Sequence, residues 1–272
     1  MHDLRVASHP GCRTTLERRN YLHGNTTLKE HIVKPVLIIQ NIWDDPVGYI
    51  GELLLAYSIP YEVVKAEQGD IPDIRSYGAL IVLGGAQNAN EDDKYPYLTL
   101  EKARIRQAVE HETPFLGICL GGQLLASVLN AKVSRHTLTE IGFSDVQLTE
   151  EGRRDPLYAR LSGSQCVYQW HEDTFAIPQG AVRLATNVQT ENQAFRFGRN
   201  AYALQYHIEL TEAMLDTWLH YPALQQEVIA VLGQDGYNQL EQNSHLYYPI
   251  YQEHTRILLE NFLNIAGYSV QN

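Results

Sequence analysis

The chain has 272 residues, enough for one large α/β domain, or a domain with appendages, and a sizeable buried core. Its formal net charge of −11 and pI near 5.4 argue against a nucleic-acid or anionic-membrane surface, because phosphate binding needs a basic patch. Three cysteines, Cys12, Cys119 and Cys166, are widely spaced, odd in number and without C-x-x-C spacing, which suggests neither a disulfide framework nor a zinc-thiolate site and suits a reducing cytoplasm.

No stretch has the apolar length of a membrane span, and the early Asp3, Arg5 and His9 leave no apolar core for a secretory signal. Residues 1–34 are polar, rich in Arg and His and without sustained period, so they read as an extension outside the catalytic core. From Pro35 the pattern sharpens. Residues 36–39 predict a buried strand, 48–57 a helix, 61–64 a second strand, and 79–83 a third strand that runs into Gly84-Gly85. Residues 98–110 form a charged amphipathic helix. Phe115, Leu116 and Ile118 then make an apolar run too short for a helix, and residues 123–129 carry a helical apolar stripe.

Strands alternating with helices predict right-handed crossovers and a mostly parallel sheet with helices on both faces. Ligands of such sheets sit at the carboxyl ends of the strands, where both Gly84-Gly85 and Cys119 fall. After Asn130 the pieces shorten, to 142–148, 167–170, 182–185, 194–197 and 201–206, as in a mixed or antiparallel extension of the sheet. From Thr211 the period is helical through 214–219, 224–232 and 255–263. The expected organisation is an extension over 1–34, an α/β domain over 35–210, and a helical extension over 211–272 packing on that domain.

Gly117-Ile-Cys119-Leu-Gly121 has the spacing of the G-x-S-x-G elbow of hydrolases, with cysteine in place of serine. Such a turn is too tight for a side chain at either glycine. The helix that follows offers unpaired N–H groups and a positive end that favours a thiolate and an oxyanion. Alone, the pentapeptide also fits a buried structural cysteine beside packing glycines.

Further along, residues 201–209 read as a strand ending in His207-Ile-Glu209. Side chains two apart on a strand share a side, so Glu209 can accept the imidazole N–H and fix the tautomer of a base for the thiol. A surface His and Glu at a strand end is the plainer alternative. Gly84-Gly85 fits a simple turn, or a backbone donor that joins the N–H of Leu120 in an oxyanion hole. The stretch from Tyr168 to Phe175 packs aromatic and polar groups as a pocket wall. A metal site of His171, Asp173, His207 and Glu209 is not needed to explain the constellation, and no metal or cofactor is expected.

Taken together, Gly84-Gly85, Gly117-Ile-Cys119-Leu-Gly-Gly-Gln123, Trp170-His171-Glu-Asp173-Thr-Phe175 and Gln205-Tyr-His207-Ile-Glu209 resemble, in order, the class I (triad) glutamine amidotransferases. The likeness is greatest to stand-alone proteins similar to the amidotransferase domain of GMP synthase. The resemblance implies a flavodoxin-like three-layer fold and a Cys119-His207-Glu209 triad. It also implies an oxyanion hole from Gly85 and Leu120, and glutamine contacts near Gly84, Gln123, Trp170 and His171. The implied reaction passes through a γ-glutamyl thioester and releases ammonia, for use by a synthetase or acceptor-domain partner.

Ile208 stands where the family often has proline. No ATP-pyrophosphatase signature or Walker-type loop follows, so a GMP synthase reaction is not completed by these residues alone. A related superfamily of thiol chaperones and proteases tends to have histidine directly after the cysteine, where this chain has Leu120. A self-sufficient hydrolase of γ-glutamyl peptides is the alternative function, and a non-catalytic binding protein a lesser one.

Overall fold

The structure, a computed structural model, describes residues 33–270, so residues 1–32 of the expected extension lie outside the described residues. The first half alternates as its apolar runs dictate: β1 (Val36–Gln40), α1 (Gly48–Ala56), β2 (Tyr61–Lys65), β3 (Ala79–Val82), α2 (Tyr97–Glu110), β4 (Phe115–Ile118) and α3 (Leu120–Val128). The second half runs β5 (Val133–Leu148), α4 (Glu150–Arg154), β6 (Ser164–Phe175), β7 (Val182–Thr186), β8 (Ala194–Phe197), β9 (Ala201–Leu204), α5 (Glu212–His220) and α6 (Pro222–Ile265). The nine strands among the described residues join one sheet in the order β2-β1-β3-β4-β9-β8-β7-β5-β6. The pairings from β2 to β9 are parallel, and those from β9 outward through β8, β7, β5 and β6 are antiparallel.

β3, β4 and β9 are buried along their whole length because helices cover both faces. Alternate residues of β1 feed two separate cores. Val36 and Ile38 pack with Leu53 of α1 and Leu258 and Phe262 of α6, while Leu37 and Ile39 pack with Leu98 and Ile105 of α2 and Leu124 of α3. The result is three layers, with α1 and α6 on one face and α2 and α3 on the other. Burial of each such Val, Leu or Ile is worth roughly 1.5–3 kcal/mol, so the parallel strands are anchored from both sides.

Four elements differ from the sequence pattern. β5 and β6 are much longer than 142–148 and 167–170. They form a long hairpin with a register shift between Arg135 and Glu140, and their polar, half-exposed residues hide the strand period. β9 stops at Leu204, short of the expected 206, and His207 returns as an isolated antiparallel bridge to Tyr168, its N–H donating to the Tyr168 carbonyl at 2.8 Å. Of the C-terminal helical runs, 214–219 is α5, while 224–232 and 255–263 fall in α6, which Gly233 breaks into two helical segments by taking φ +71° and ψ 169°. Its middle stretch includes Pro249 and is held by Tyr237, Tyr248 and Tyr251, which are buried with Trp218 and Tyr168. No helix among the described residues is long and apolar enough to cross a membrane.

Candidate active site

β4 delivers its last residue into a turn where Cys119 takes φ +49° and ψ −106°, a strained conformation for a residue with a side chain. Backbone bonds hold it there: the Cys119 N–H donates to the Leu204 carbonyl of β9 at 2.8 Å, and its carbonyl accepts from Gln123 at 3.0 Å. The flanking glycines are required by crowding. A Cβ on Gly117 would lie 2.4 Å from the Gly121 carbonyl, and one on Gly121 would lie 2.2 Å from the Val82 carbonyl of β3. The turn can form only where three strand ends and a helix start leave no room for side chains.

Around the thiol, Sγ lies 3.7 Å from the Trp170 carbonyl and 3.9 Å from Gln205 Nε2. The same Trp170 carbonyl lies 3.4 Å from His207 Nε2, so nucleophile and base share one backbone neighbour contributed by β6. The His207 ring packs edge-on to Trp218 at 5.0 Å between centroids, and its Nδ1 is bonded to Glu209 Oε1. Glu209 Oε2 accepts the Ile208 N–H at 2.7 Å. His207 and Glu209 come together beyond the end of β9 through the Tyr168 bridge rather than by alternation along a continuous strand.

Burial disfavours a charge on His207, yet the Glu209 carboxylate and the hydrogen bonds with Cys119 and Glu209 outweigh it and raise its pKa well above the ordinary value. Burial also opposes charge on Glu209, but His207, the Ile208 N–H and Asp45 keep its pKa below the usual value. The carboxylate therefore stabilises the imidazolium that forms when His207 takes up a proton.

The other expected site residues fall into two groups. Gly85 and Trp170 line the same cavity as Cys119 and His207. Leu120 opens α3, so its N–H is among those without an intrahelical acceptor, and a Cβ on Gly85 would come 2.9 Å from the Leu120 side chain. Gly84 abuts the histidine: a Cβ there would stand 3.0 Å from His207 Cε1.

Gln123 and His171, in contrast, do not line the cavity. Gln123 is buried with Nε2 3.4 Å from the Asp173 carbonyl. His171 Nδ1 lies 3.0 Å from that carbonyl, and its Nε2 is 3.8 Å from the buried Glu140. Burial pushes the pKa of His171 down to about 4, so it stays neutral. Both side chains brace the β6 segment that carries Trp170.

The cavity measures about 270 Å³. Cys119, His207 and Gly85 reach it from the sheet; Trp43, Trp170, Trp218 and Tyr221 supply aromatic walls, and Asp44 and Glu227 an acidic edge. The pKa values of Asp44 and Glu227 are both raised, first by partial burial. Several cavity residues, Trp43, Asp44, Asp45, Trp218, Tyr221 and Glu227 among them, have no counterpart in the sequence reading, and Asp45 is the most deeply placed of the acids. Asp45, in the loop after β1, is 2% exposed, and neither carboxyl oxygen has a hydrogen-bond donor. Its position at a strand's carboxyl end was the available signal, but Asp-Asp-Pro reads as a solvated turn. The carboxyl of Asp45 lies with His207 and Glu209 in a group whose nearest polar atoms are all within 4.8 Å of one another. His171 and Asp173 do not join it.

Thiol reactivity offers a direct check. Cys166 lies in β6, where burial and then Asp145 push its pKa up to about 11, whereas Cys119 stands on the cavity beside a base. An electrophilic glutamine analogue is expected to label Cys119 quickly and leave Cys166 unmodified. Peptide mass mapping that put the fast label on Cys166 or Cys12 would count against Cys119 as the reactive group.

Comparison with known proteins matches this architecture. The family described as glutamine amidotransferase class-I covers residues 49–219. The glutamine amidotransferase-like protein YfeJ of Salmonella typhimurium is 31% identical over 180 residues, which is 65% of this chain and 74% of that protein. A glutamine-hydrolyzing GMP synthase of Aliivibrio fischeri is 30% identical over 151 residues, 53% of this chain but 26% of the synthase. The crystal structure of a glutamine amidotransferase from Thermotoga maritima superposes with a TM-score of 0.74 at 29% identity, over 86% of this chain and 99% of that one. The chain belongs to the class-I glutamine amidotransferase family, a family of amide hydrolases.

Proposed function

We propose that this protein hydrolyses the side-chain amide of glutamine at Cys119 and releases ammonia to a synthetase or acceptor-domain partner. The observation that carries the reading is the strained Cys119 sharing a cavity and a backbone neighbour with His207, itself bonded to Glu209. His207 takes the thiol proton, and sulfur attacks the amide carbon. The oxygen's developing charge is met by the N–H groups of Gly85 and Leu120. The C–N bond then breaks as the imidazolium returns its proton to nitrogen, leaving ammonia and a γ-glutamyl thioester. Water, deprotonated by His207, opens the thioester to glutamate and restores the thiol. Gly84, Gln123, Trp170 and His171 form or brace the side that holds the γ-glutamyl group.

A second reading, a stand-alone hydrolase of γ-glutamyl peptides, draws support from the cavity, since 270 Å³ exceeds what a departing ammonia needs. The acidic edge works against the commonest such substrates: a leaving peptide ends in a carboxylate, which Asp44 and Glu227 repel. The isolated chain is therefore expected to hydrolyse free glutamine weakly and to cleave γ-glutamyl dipeptides and glutathione little or not at all. The deciding measurement is kcat/KM for each substrate on one preparation. A peptide preference of about tenfold or more, equivalent to roughly 1.4 kcal/mol, would replace the ammonia-donor reading with the peptidase. Copurification of a synthetase from the native extract would identify the acceptor.

A further inference from the structure

Asp45 presents an unbalanced account. It is 2% exposed and Glu209 is wholly buried, and the polar atoms of these two carboxyls and of His207 lie within 4.8 Å of one another. Two carboxylates at that range, out of water, repel strongly, and one of them must hold a proton. Glu209 is the less suited to hold it, because its charge is stabilised by His207 Nδ1 on one oxygen and by the Ile208 N–H at 2.7 Å on the other.

Asp45 has the opposite pattern. Neither of its oxygens receives a hydrogen bond from any described residue, which is costly for a carboxylate and natural for a carboxylic acid that donates. Among the described residues, no lysine or arginine is one of the main influences on Asp45. The groups acting most strongly on Asp45 are Glu209, His207 and its neighbour Asp44; those facing Glu209 include His207, Asp45 and the Tyr251 hydroxyl. Those facing His207 include Glu209, Cys119 and His171.

We propose that Asp45 is a positioning residue of this site: a neutral carboxylic acid whose O–H donates to Glu209 and holds that carboxylate on His207. The inference rests on the reading that His207 and Glu209 serve Cys119. The direction of its titration agrees, since burial first and the Glu209 charge second raise the pKa of Asp45 well above the carboxylate range. The backbone is shaped around it too. A Cβ on Gly84 would stand 2.6 Å from Asp45 Oδ2, so glycine there leaves room for the acid as well as the histidine. With Asp45 neutral, the triad carries a single carboxylate, enough to stabilise the imidazolium without trapping its proton. An ionised Asp45 would add a second negative charge behind the histidine and slow return of that proton to the leaving amine.

The test compares Asp45→Asn with Asp45→Ala. Asparagine keeps a donor and cannot ionise, so its kcat for glutamine should fall by no more than about threefold, whereas alanine should lose roughly ten- to hundredfold in kcat with little change in KM. Difference infrared spectroscopy provides a readout a packing role would not move: a protonated-carboxyl band in the parent at neutral pH that is absent from Asp45→Asn. An asparagine variant as impaired as alanine, or a parent without that band, overturns the proposal. Should the alanine variant fail to fold, the asparagine rate and the infrared band still decide it. Loss of the underlying reading is distinguishable, because it would appear as glutamine hydrolysis that survives Cys119→Ala while the infrared result stands unaltered.

Discussion

Cys119→Ala is expected to abolish glutamine hydrolysis while leaving the fold intact. Removing the nucleophile of a triad hydrolase costs on the order of a millionfold in kcat, about 8 kcal/mol of transition-state stabilisation, because the other members have nothing to activate. The structural effect should be far smaller. Alanine loses one sulfur, and its Cβ keeps the space the turn already provides, although the residue must still adopt φ +49°. That conformation is imposed by the Leu204 and Gln123 backbone bonds and by the packed glycines, so the substitution neither creates nor relieves the strain. A thermal midpoint close to the parent's, with activity below a few per cent, is the expected pair of results. Appreciable turnover by the folded variant would remove the thioester mechanism.

What the sequence made legible follows from where the physical signal is local. β1, β3 and β4 are buried from both faces, so their apolar runs stand out without knowledge of their neighbours. Cys119, His207 and Glu209 sit in short spacings whose chemistry is readable within five residues. β5 announces itself poorly, because much of Val133–Leu148 is half-exposed and no continuous buried face marks its period. α6 contains Gly233, Gly236 and Pro249, each a reason to end a helix; Gly233 does break it, while the stretch through Gly236 and Pro249 stays helical with Tyr237, Tyr248 and Tyr251 packed with Trp218 and Tyr168.

Asp45 is the instructive case. An Asp-Asp-Pro turn looks solvated, and its burial is created by distant parts of the chain. Trp218 of α5 reaches back to donate to the Asp44 carbonyl at 2.8 Å, and the Tyr49 N–H donates to the Glu209 carbonyl at 2.8 Å, closing the loop over the triad. Gln123 and His171 show the converse: a motif named them, and the fold turns their side chains to the Asp173 carbonyl.

Glu209→Gln should be crippled less than the nucleophile variant, by roughly ten-thousandfold in kcat. The reason lies in the tautomer. Glu209 is a pure acceptor, so the proton of neutral His207 must sit on Nδ1, which leaves Nε2 free to take the thiol proton. A glutamine amide has its own N–H to offer. Facing Nδ1 with that group would stabilise the tautomer protonated on Nε2, which cannot act as the base. The imidazolium also loses the carboxylate that now outweighs its burial, so the pKa of His207 should fall from its raised value.

This change carries a stability signature with a definite sign. A histidine whose pKa is higher folded than unfolded contributes stability that is fully present below the unfolded value, near 6.5, and is lost as pH rises through the folded value. The parent's melting temperature should therefore decline on the alkaline side, and Glu209→Gln should show less of that decline. Rapid labelling of Cys119 by the glutamine analogue should slow in the same variant, since thiol activation depends on the same base. Activity within about tenfold of the parent, together with an unchanged alkaline decline in melting temperature, would mean that Glu209 does not orient His207.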